Sequence, residues 1–106
     1  MFNFTLQNEP GRLIVNLEGD LDIEATEIIE EELIVEIQNS SGEVELNFQN
    51  IDFVDSSGIG LLISMITNLK ENDRNPTITN ISEDVKTVFT LLQLDEILGK
   101  EVVLLK

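Results

Sequence analysis

Apolar and polar residues alternate in three parts of the chain, and this period of two is the pattern of a half-buried β-strand. The alternating apolar residues are Phe2, Phe4 and Leu6, then Leu13, Val15 and Leu17, and further along Val44, Leu46 and Phe48. Between the first two sets, residues 9–12 read Glu-Pro-Gly-Arg, which is typical of a turn. We therefore predict a hairpin that leads into a sheet, ended by Gly19-Asp20, and a third strand in the middle of the chain.

Three other segments repeat their apolar residues every three or four positions, which is the spacing of one helix face. We predict helices over residues 23–38, over residues 57–72 and from Ser82 onward. Their buried faces would be formed by Ala25, Ile29, Leu33 and Ile37; by Ile59, Leu62, Ile63, Ile66 and Leu69; and by Val85, Val88, Phe89 and Leu92. Ser82 is a suitable N-cap, because acidic residues follow it in the first turn, where the helix dipole favours them.

Two short apolar runs, at residues 77–81 and 101–105, complete the set of predicted strands. Strands that alternate with helices along a chain pair in parallel through crossover helices. The order of elements therefore predicts an α/β protein with a mixed, mostly parallel sheet of about five strands, flanked by about three helices. A chain of 106 residues suffices for one hydrophobic core, so we expect a single domain over residues 1–106.

The composition excludes several kinds of chemistry. The chain has no Cys and no His. This rules out a disulfide scaffold, a metal site with Cys or His ligands, a Ser-His-Asp triad and a cysteine nucleophile. No pattern marks two of the carboxylates as a general acid and base in one pocket, so we do not expect an enzyme.

The chain is strongly acidic, with a formal net charge of −15 from 21 acidic and 6 basic residues. Nucleic acids and anionic membranes attract Lys and Arg, so we expect neither as a partner. The acidity either maintains solubility or steers the chain toward a basic patch on a partner protein. The sequence has no signal peptide and no apolar run near the ~20 residues of a membrane span, and we expect a cytoplasmic protein.

Two weak motifs do not support a ligand site. The acidic residues of segment 20–24, with Glu31, match part of an EF-hand spacing, but Ala25 occupies the position that requires Gly. The pair Gly58 and Gly60 lies at a strand-to-helix turn, but the third Gly of a dinucleotide loop is replaced by Ile63. We expect no metal ion and no cofactor.

The two glycines have another possible use, since they leave backbone uncovered and a partner's active site would be able to approach closely. Helix-to-sheet packing is the alternative use. Beside them, Asp55, Ser56 and Ser57 stand where the third strand ends and a helix begins. Asp and Ser cap helix N-termini, and a hydroxyl there points outward beside N–H groups that favour an anion. On its own, the segment is consistent with a simple capping turn.

The longer segment 53–61 resembles the signature of the STAS domain, and in particular of the bacterial anti-sigma factor antagonists. It reads Phe53-Val54-Asp55-Ser56-Ser57-Gly58-Ile59-Gly60-Leu61. Two further stretches agree with the resemblance. Gly19-Asp20-Leu21-Asp22 is similar to a turn of the family, and residues 82–98 are similar to its Ser-x-x-Val helix with a Leu-Asp-x-(Ile/Leu) end. The resemblance covers nearly the whole chain.

The resemblance implies a phosphorylation switch. Ser56 would be the phosphoacceptor of a serine kinase that is also the anti-sigma factor. The unphosphorylated chain would bind that partner, and a phosphatase would restore binding after phosphorylation. Asp22 and Asp55 would lie on the partner surface, and Asp22 would be a determinant of partner binding or of phosphorylation. The alternative is that Asp22 only caps the helix that follows it.

The helix after Ser56 has a second face that we assign to the partner. Ser57, Leu61 and Ser64 share this face, with Met65 at its edge, and Gly58 and Gly60 lie beside them. Leu61 and Met65 would then be apolar groups outside the core face. The alternative is that a neighbouring loop covers them.

Two other functions fit the same motif. The chain is alternatively a STAS subunit of another assembly, such as a stress-signalling complex or a transport system. The second alternative is a domain that binds a small anion or nucleotide at the helix N-terminus. Many family members have a further helix after the last strand, and we expect that helix to be missing here because the sequence ends at Lys106.

Overall fold

The strands are β1 (Asn3–Glu9), β2 (Arg12–Leu21), β3 (Glu43–Val54) and β4 (Thr77–Thr79). They form one sheet in the order β1-β2-β3-β4 in the computed structural model, which describes residues 1–104. The hairpin is confirmed, because β1 pairs antiparallel with β2 and Glu9 lies opposite Arg12. The β2–β3 and β3–β4 pairs are parallel. The α/β class and the mixed, mostly parallel sheet are therefore as predicted.

The sheet has four strands within residues 1–104, where about five were expected. The predicted strand at residues 101–105 is reduced to one parallel bridge between Ile78 and Val103, and Leu105 lies outside the described residues. The predicted strand at residues 77–81 is also shorter, because Asn80 has a φ of 56°, which interrupts extended backbone.

The helical segments are α1 (Ala25–Ile28), a π-helical turn (Ile29–Leu33), α2 (Ile34–Gln38), α3 (Ser56–Glu71), α4 (Glu83–Leu91) and α5 (Leu94–Leu98). The first three form one continuous stretch, so residues 1–104 contain four helical stretches where about three were expected. The extra one arises because Gln93 has a φ of 54° and separates α4 from α5. The expected burial of Leu92 is wrong for the same reason. It lies past the end of α4 and is 48% exposed.

The predicted stripe on the first helical stretch is buried, but the stretch is not a regular α-helix. Ala25, Ile29, Leu33 and Ile37 are all buried. In an α-helix, each step of four residues overshoots a full turn by about 40°. The N–H of Ile34 instead donates to the carbonyl of Ile29, five residues back, so the wider π turn reduces this drift.

The helices cover one face of the sheet. The buried residues of β2 and β3 pack with them, and the rings of Phe48 and Phe89 meet edge to face with centroids 6.0 Å apart. Polar side chains that alternate with the buried residues form hydrogen bonds between neighbouring strands. The Asn47 amide donates to Asn16 and accepts from Asn80, at 2.9 and 3.0 Å. The sheet therefore has one apolar face under the helices and one polar face.

Candidate functional site

The carboxyl ends of β2 and β3 bring two aspartate-containing turns together. Leu21 lies opposite Val54 at the end of the parallel pairing, and Asp22 and Asp55 follow them directly. The N–H of Asp55 donates to the carbonyl of Leu21 at 3.3 Å, so the two turns are joined by a backbone hydrogen bond. The two predicted partner determinants therefore lie on the same edge of the sheet.

Asp55 is the N-cap of α3. Its backbone is extended, with φ −106° and ψ −175°, and its Oδ1 accepts from the N–H of Gly58 at 2.9 Å. Ser56 is the first residue of the helix, one position earlier than predicted, and both Ser56 and Ser57 are exposed. The Ser56 hydroxyl is thus accessible to another protein. A negative charge added there would lie at the positive end of the helix dipole.

Asp22 stabilises the neighbouring turn. Its Oδ1 accepts from the N–H of Glu24 at 3.0 Å, and its carbonyl accepts from the N–H of Ala25 at 3.0 Å. This bonding closes a turn ahead of the helix, whose N-cap is Glu24, so the alternative that Asp22 caps the helix is wrong. The same bonding also orients the carboxylate at the edge of the sheet that carries Ser56.

The two glycines of the motif have different surroundings. A Cβ on Gly58 would lie 1.8 Å from the carbonyl oxygen of Leu21, so this residue is buried and allows α3 to pack closely on β2. A Cβ on Gly60 would meet nothing within 4 Å, and Gly60 is exposed. Packing therefore accounts for Gly58. It does not account for Gly60, where the helix surface is open.

The predicted partner face on α3 is partly wrong. Met65 is 2% exposed and belongs to the core, because it stands three residues after Leu62 and four before Leu69 on the buried stripe. Leu61 is half-buried and packs against the core. Ser57 and Ser64 are exposed. The accessible part of this face consists of the two serines, Gly60 and the edge of Leu61.

Two exposed apolar residues at the same edge were not predicted. Phe53 is 53% exposed and Ile23 is 69% exposed. Phe53 lies in β3 and is paired with Asp20 of β2. Ile23 follows Asp22 in the turn after β2. The sequence did contain a signal, since Phe53 and Val54 are adjacent in a strand and neighbouring side chains point to opposite faces.

Two cavities of the described residues lie away from Ser56. One of about 410 Å³ is lined by Glu43, Lys70 and Glu101 among others, at the opposite end of β3 from Ser56. Another of about 560 Å³ lies between β1 and the first helical stretch. Among residues 1–104, no group of three or more carboxylates is arranged to hold a metal ion, and no helix is both long and apolar enough to cross a membrane.

The fold and the site define an α/β domain that presents an exposed serine on the first turn of a helix, at the carboxyl ends of the parallel strands. This chain belongs to the STAS domain family, whose model matches residues 3–104.

Two similar proteins of known description are both anti-sigma-B factor antagonists. The chain is 30% identical over 84 residues to an anti-sigma-B factor antagonist of Staphylococcus epidermidis, covering 79% of this chain and 78% of that one. It is 26% identical over the same length, with the same coverage, to the protein of that description in Staphylococcus aureus.

Solved structures also resemble it. The anti-sigma factor antagonist SpoIIAA in its unphosphorylated form matches with a TM-score of 0.71 and 27% identity, covering 89% of this chain and 84% of that one. The Bacillus cell fate determinant SpoIIAA in the phosphorylated form matches with a TM-score of 0.66 and 26% identity, covering 89% and 86%. An anti-sigma factor antagonist from Mycobacterium paratuberculosis, at 14% identity and a TM-score of 0.79 over 92% and 82%, shares the fold.

Proposed function

We propose that this chain is an anti-sigma factor antagonist switched by phosphorylation of Ser56. The unphosphorylated form binds an anti-sigma factor that is also a serine kinase, and phosphorylated Ser56 ends the binding until a phosphatase resets it. The observation that carries the proposal is the exposed Ser56 on the first turn of α3, within the motif of a family whose members include the relatives described above.

The geometry of the turn supports a switch that leaves the fold intact. A phosphate adds about −1.5 to −2 charges at neutral pH. At the first residue of α3, this charge meets the positive end of the helix dipole, which offsets part of the repulsion from Asp55. The isolated domain therefore tolerates the phosphate.

A bound partner is a different environment for the same phosphate. Its surface would have to desolvate the group and would face it together with Asp22 and Asp55. A cost of about 3–4 kcal/mol would weaken binding several hundred-fold, at about 1.4 kcal/mol per tenfold. Local charge is therefore sufficient to end the complex without any change of fold.

Phosphate incorporation tests the assignment of Ser56. Unmodified protein is incubated with the cognate kinase recovered from the native cell, and phosphorylation is read by intact-protein mass spectrometry. Ser56→Ala should abolish the phosphate mass shift because it removes the accepting hydroxyl. Ser57→Ala and Ser64→Ala, which change exposed serines of the same helix, are the matched controls and should retain it.

Two outcomes would contradict the proposal. Loss of the shift in Ser57→Ala with retention in Ser56→Ala would move the phosphoacceptor by one residue. Failure of unmodified protein to capture any ATP-binding kinase from the native cell would reject the anti-sigma factor circuit. Capture of a multiprotein assembly without such a kinase would favour a subunit role in a stress-signalling or transport complex.

A further inference from the structure

Phe53 is the only one of the five phenylalanines that is exposed in this fold, and all five lie within residues 1–104. Phe2, Phe48 and Phe89 are buried, and Phe4 is partly covered. An aromatic ring that is half in water forgoes much of the free energy that burial would provide. The local backbone explains how this position is maintained.

A bulge in β3 turns Phe53 outward. Gly19 is opposite Ile51 but Asp20 is opposite Phe53, so Asp52 is an extra residue in β3. Without it, the period of two would place Phe53 on the same face as the buried Ile51. With it, Val54 is buried and Phe53 faces away from the core. Bulges of this kind re-aim side chains next to functional sites.

Ile23 adds a second apolar group to the same edge. It is 69% exposed and lies two residues beyond Leu21, which is paired with Val54. The turn that carries it is held by the hydrogen bond from Glu24 to Asp22. Phe53 and Ile23 therefore lie on adjacent segments, which are joined just before α3 by the hydrogen bond from the N–H of Asp55 to the carbonyl of Leu21.

Four acidic residues are close to these two side chains in the sequence, and one of them, Asp20, is paired with Phe53 across the strands. Asp20, Asp22, Asp52 and Asp55 all lie within three residues of Phe53 or Ile23 in the sequence. The segment 13–69, which contains Phe53, Ile23 and these four aspartates, has no Lys or Arg. An apolar centre with a charged border is the usual anatomy of a protein-binding hot spot.

We propose that Phe53 and Ile23 are the apolar anchors through which this chain binds its protein partner, and that the partner offers an apolar socket bordered by Lys or Arg. This inference rests on the proposed function, since it assigns the anchors of the same interface. A second copy of the chain does not fit, because its own aspartates would face these ones. An anionic membrane surface is excluded by the same charge.

The anchors also explain how a phosphate on Ser56 acts on binding. Ser56 is three residues after Phe53, so the phosphate enters the border of a surface that the partner must desolvate. A charge at the edge of an apolar contact disrupts it through desolvation and repulsion. Phosphorylation therefore acts on the contact that supplies most of the affinity.

The test measures the affinity of the unphosphorylated full-length chain for the captured kinase by titration calorimetry. Phe53→Ser should weaken binding about 30-fold and Ile23→Ser about 10-fold, as expected for hot-spot anchors. Leu91→Ser is the matched control. Leu91 is 77% exposed at the C-terminal end of α4, outside the segment 13–69 that carries the two anchors. This control should bind within about twofold of the unchanged chain.

Thermal unfolding separates binding from folding in the same variants. Ile23→Ser changes a turn outside the sheet, so it probes the anchor without altering strand pairing. Binding of both Phe53→Ser and Ile23→Ser within about twofold of the unchanged chain would overturn the anchors while leaving the phosphorylation switch standing. Failure of the unchanged chain to bind any kinase would overturn the proposed function and this inference with it.

Discussion

Gly58 and Gly60 belong to the same motif but have different structural roles, because Gly58 is packed against β2 and Gly60 is exposed. Alanine at position 58 would place its Cβ 1.8 Å from the Leu21 carbonyl oxygen, so α3 would have to move off β2. We expect Gly58→Ala to lower the free energy of unfolding by about 2–4 kcal/mol. Gly60→Ala meets nothing within 4 Å and should raise it by about 0.5–1 kcal/mol through helix propensity. Urea denaturation measures both values, and equal destabilisation by the two changes would contradict this assignment.

A substitution at Gly60 also tests whether the partner contacts the open helix surface at this position. Gly and Val differ little in helix propensity, so Gly60→Val should leave the unfolding free energy within about 0.5 kcal/mol. If the partner uses the open surface at this position, the same change should slow phosphorylation of Ser56. A lower melting temperature with unchanged phosphorylation would assign Gly60 to packing instead.

Some residues were predictable because their role depends on a few neighbours. The cap Ser82 was assigned correctly, and its hydroxyl accepts from the N–H three residues ahead. For α3 the sequence offered Asp55 and the two serines together, and the cap is Asp55. The exposure of Phe53 was not predicted, because the pairing of β3 with β2 shifts register twice and the burial pattern of β3 after Phe48 does not keep a simple period of two. The burial of Met65 was missed because the stripe of α3 is wider than the residues chosen for it.

At the level of elements, the π turn in residues 25–38 makes a specific prediction. A turn closed by a bond five residues back contains one residue more than an α turn. Deleting the exposed Glu31 should convert the turn to α-helix while Leu33 and Ile37 remain buried. We expect the melting temperature to change by only a few degrees, about 1 kcal/mol in a domain of this size.

The matched control is deletion of Thr67, which is also exposed but lies in the regular α3. This deletion rotates Leu69 by about 100° away from the core and should unfold the domain or lower its melting temperature far more. Similar losses in the two deletion variants would show that the π turn is not a local insertion.

The connections between elements were the least predictable part of the fold. Arg74 lies in the connection between α3 and β4. Its guanidinium donates to the carbonyls of Ile37 and Gly42 at 2.9 and 2.6 Å, and to the hydroxyl of Ser40 at 2.9 Å. It thereby caps the C-terminus of α2, where a cation is favourable. Contacts this distant in sequence have no local signature.

At the level of the whole molecule, the charges are unevenly distributed along the chain. The segment 13–69 has no basic residue, whereas five of the six basic residues lie from position 70 onward, namely Lys70, Arg74, Lys86, Lys100 and Lys106. Ion pairs join Arg12 to Glu45, Lys70 to Glu101 and Lys86 to Glu83. All three involve partly exposed groups, and such pairs contribute little to stability. Repulsion among the remaining carboxylates is therefore the dominant long-range term.

This imbalance predicts opposite effects of salt on folding and on association. Screening weakens self-repulsion, so the melting temperature should rise as NaCl increases from roughly 20 mM to 300 mM, where the Debye length falls well below 10 Å. Screening also weakens attraction to a basic partner, so the association rate should fall, by about tenfold over that range. The triple variant Glu30→Gln, Glu31→Gln, Glu32→Gln removes three of the 21 acidic charges from exposed positions on the first helical stretch. Both salt slopes should become shallower in this variant. A flat association rate with a rising melting temperature would limit the acidity to solubility and self-repulsion and would reject steering.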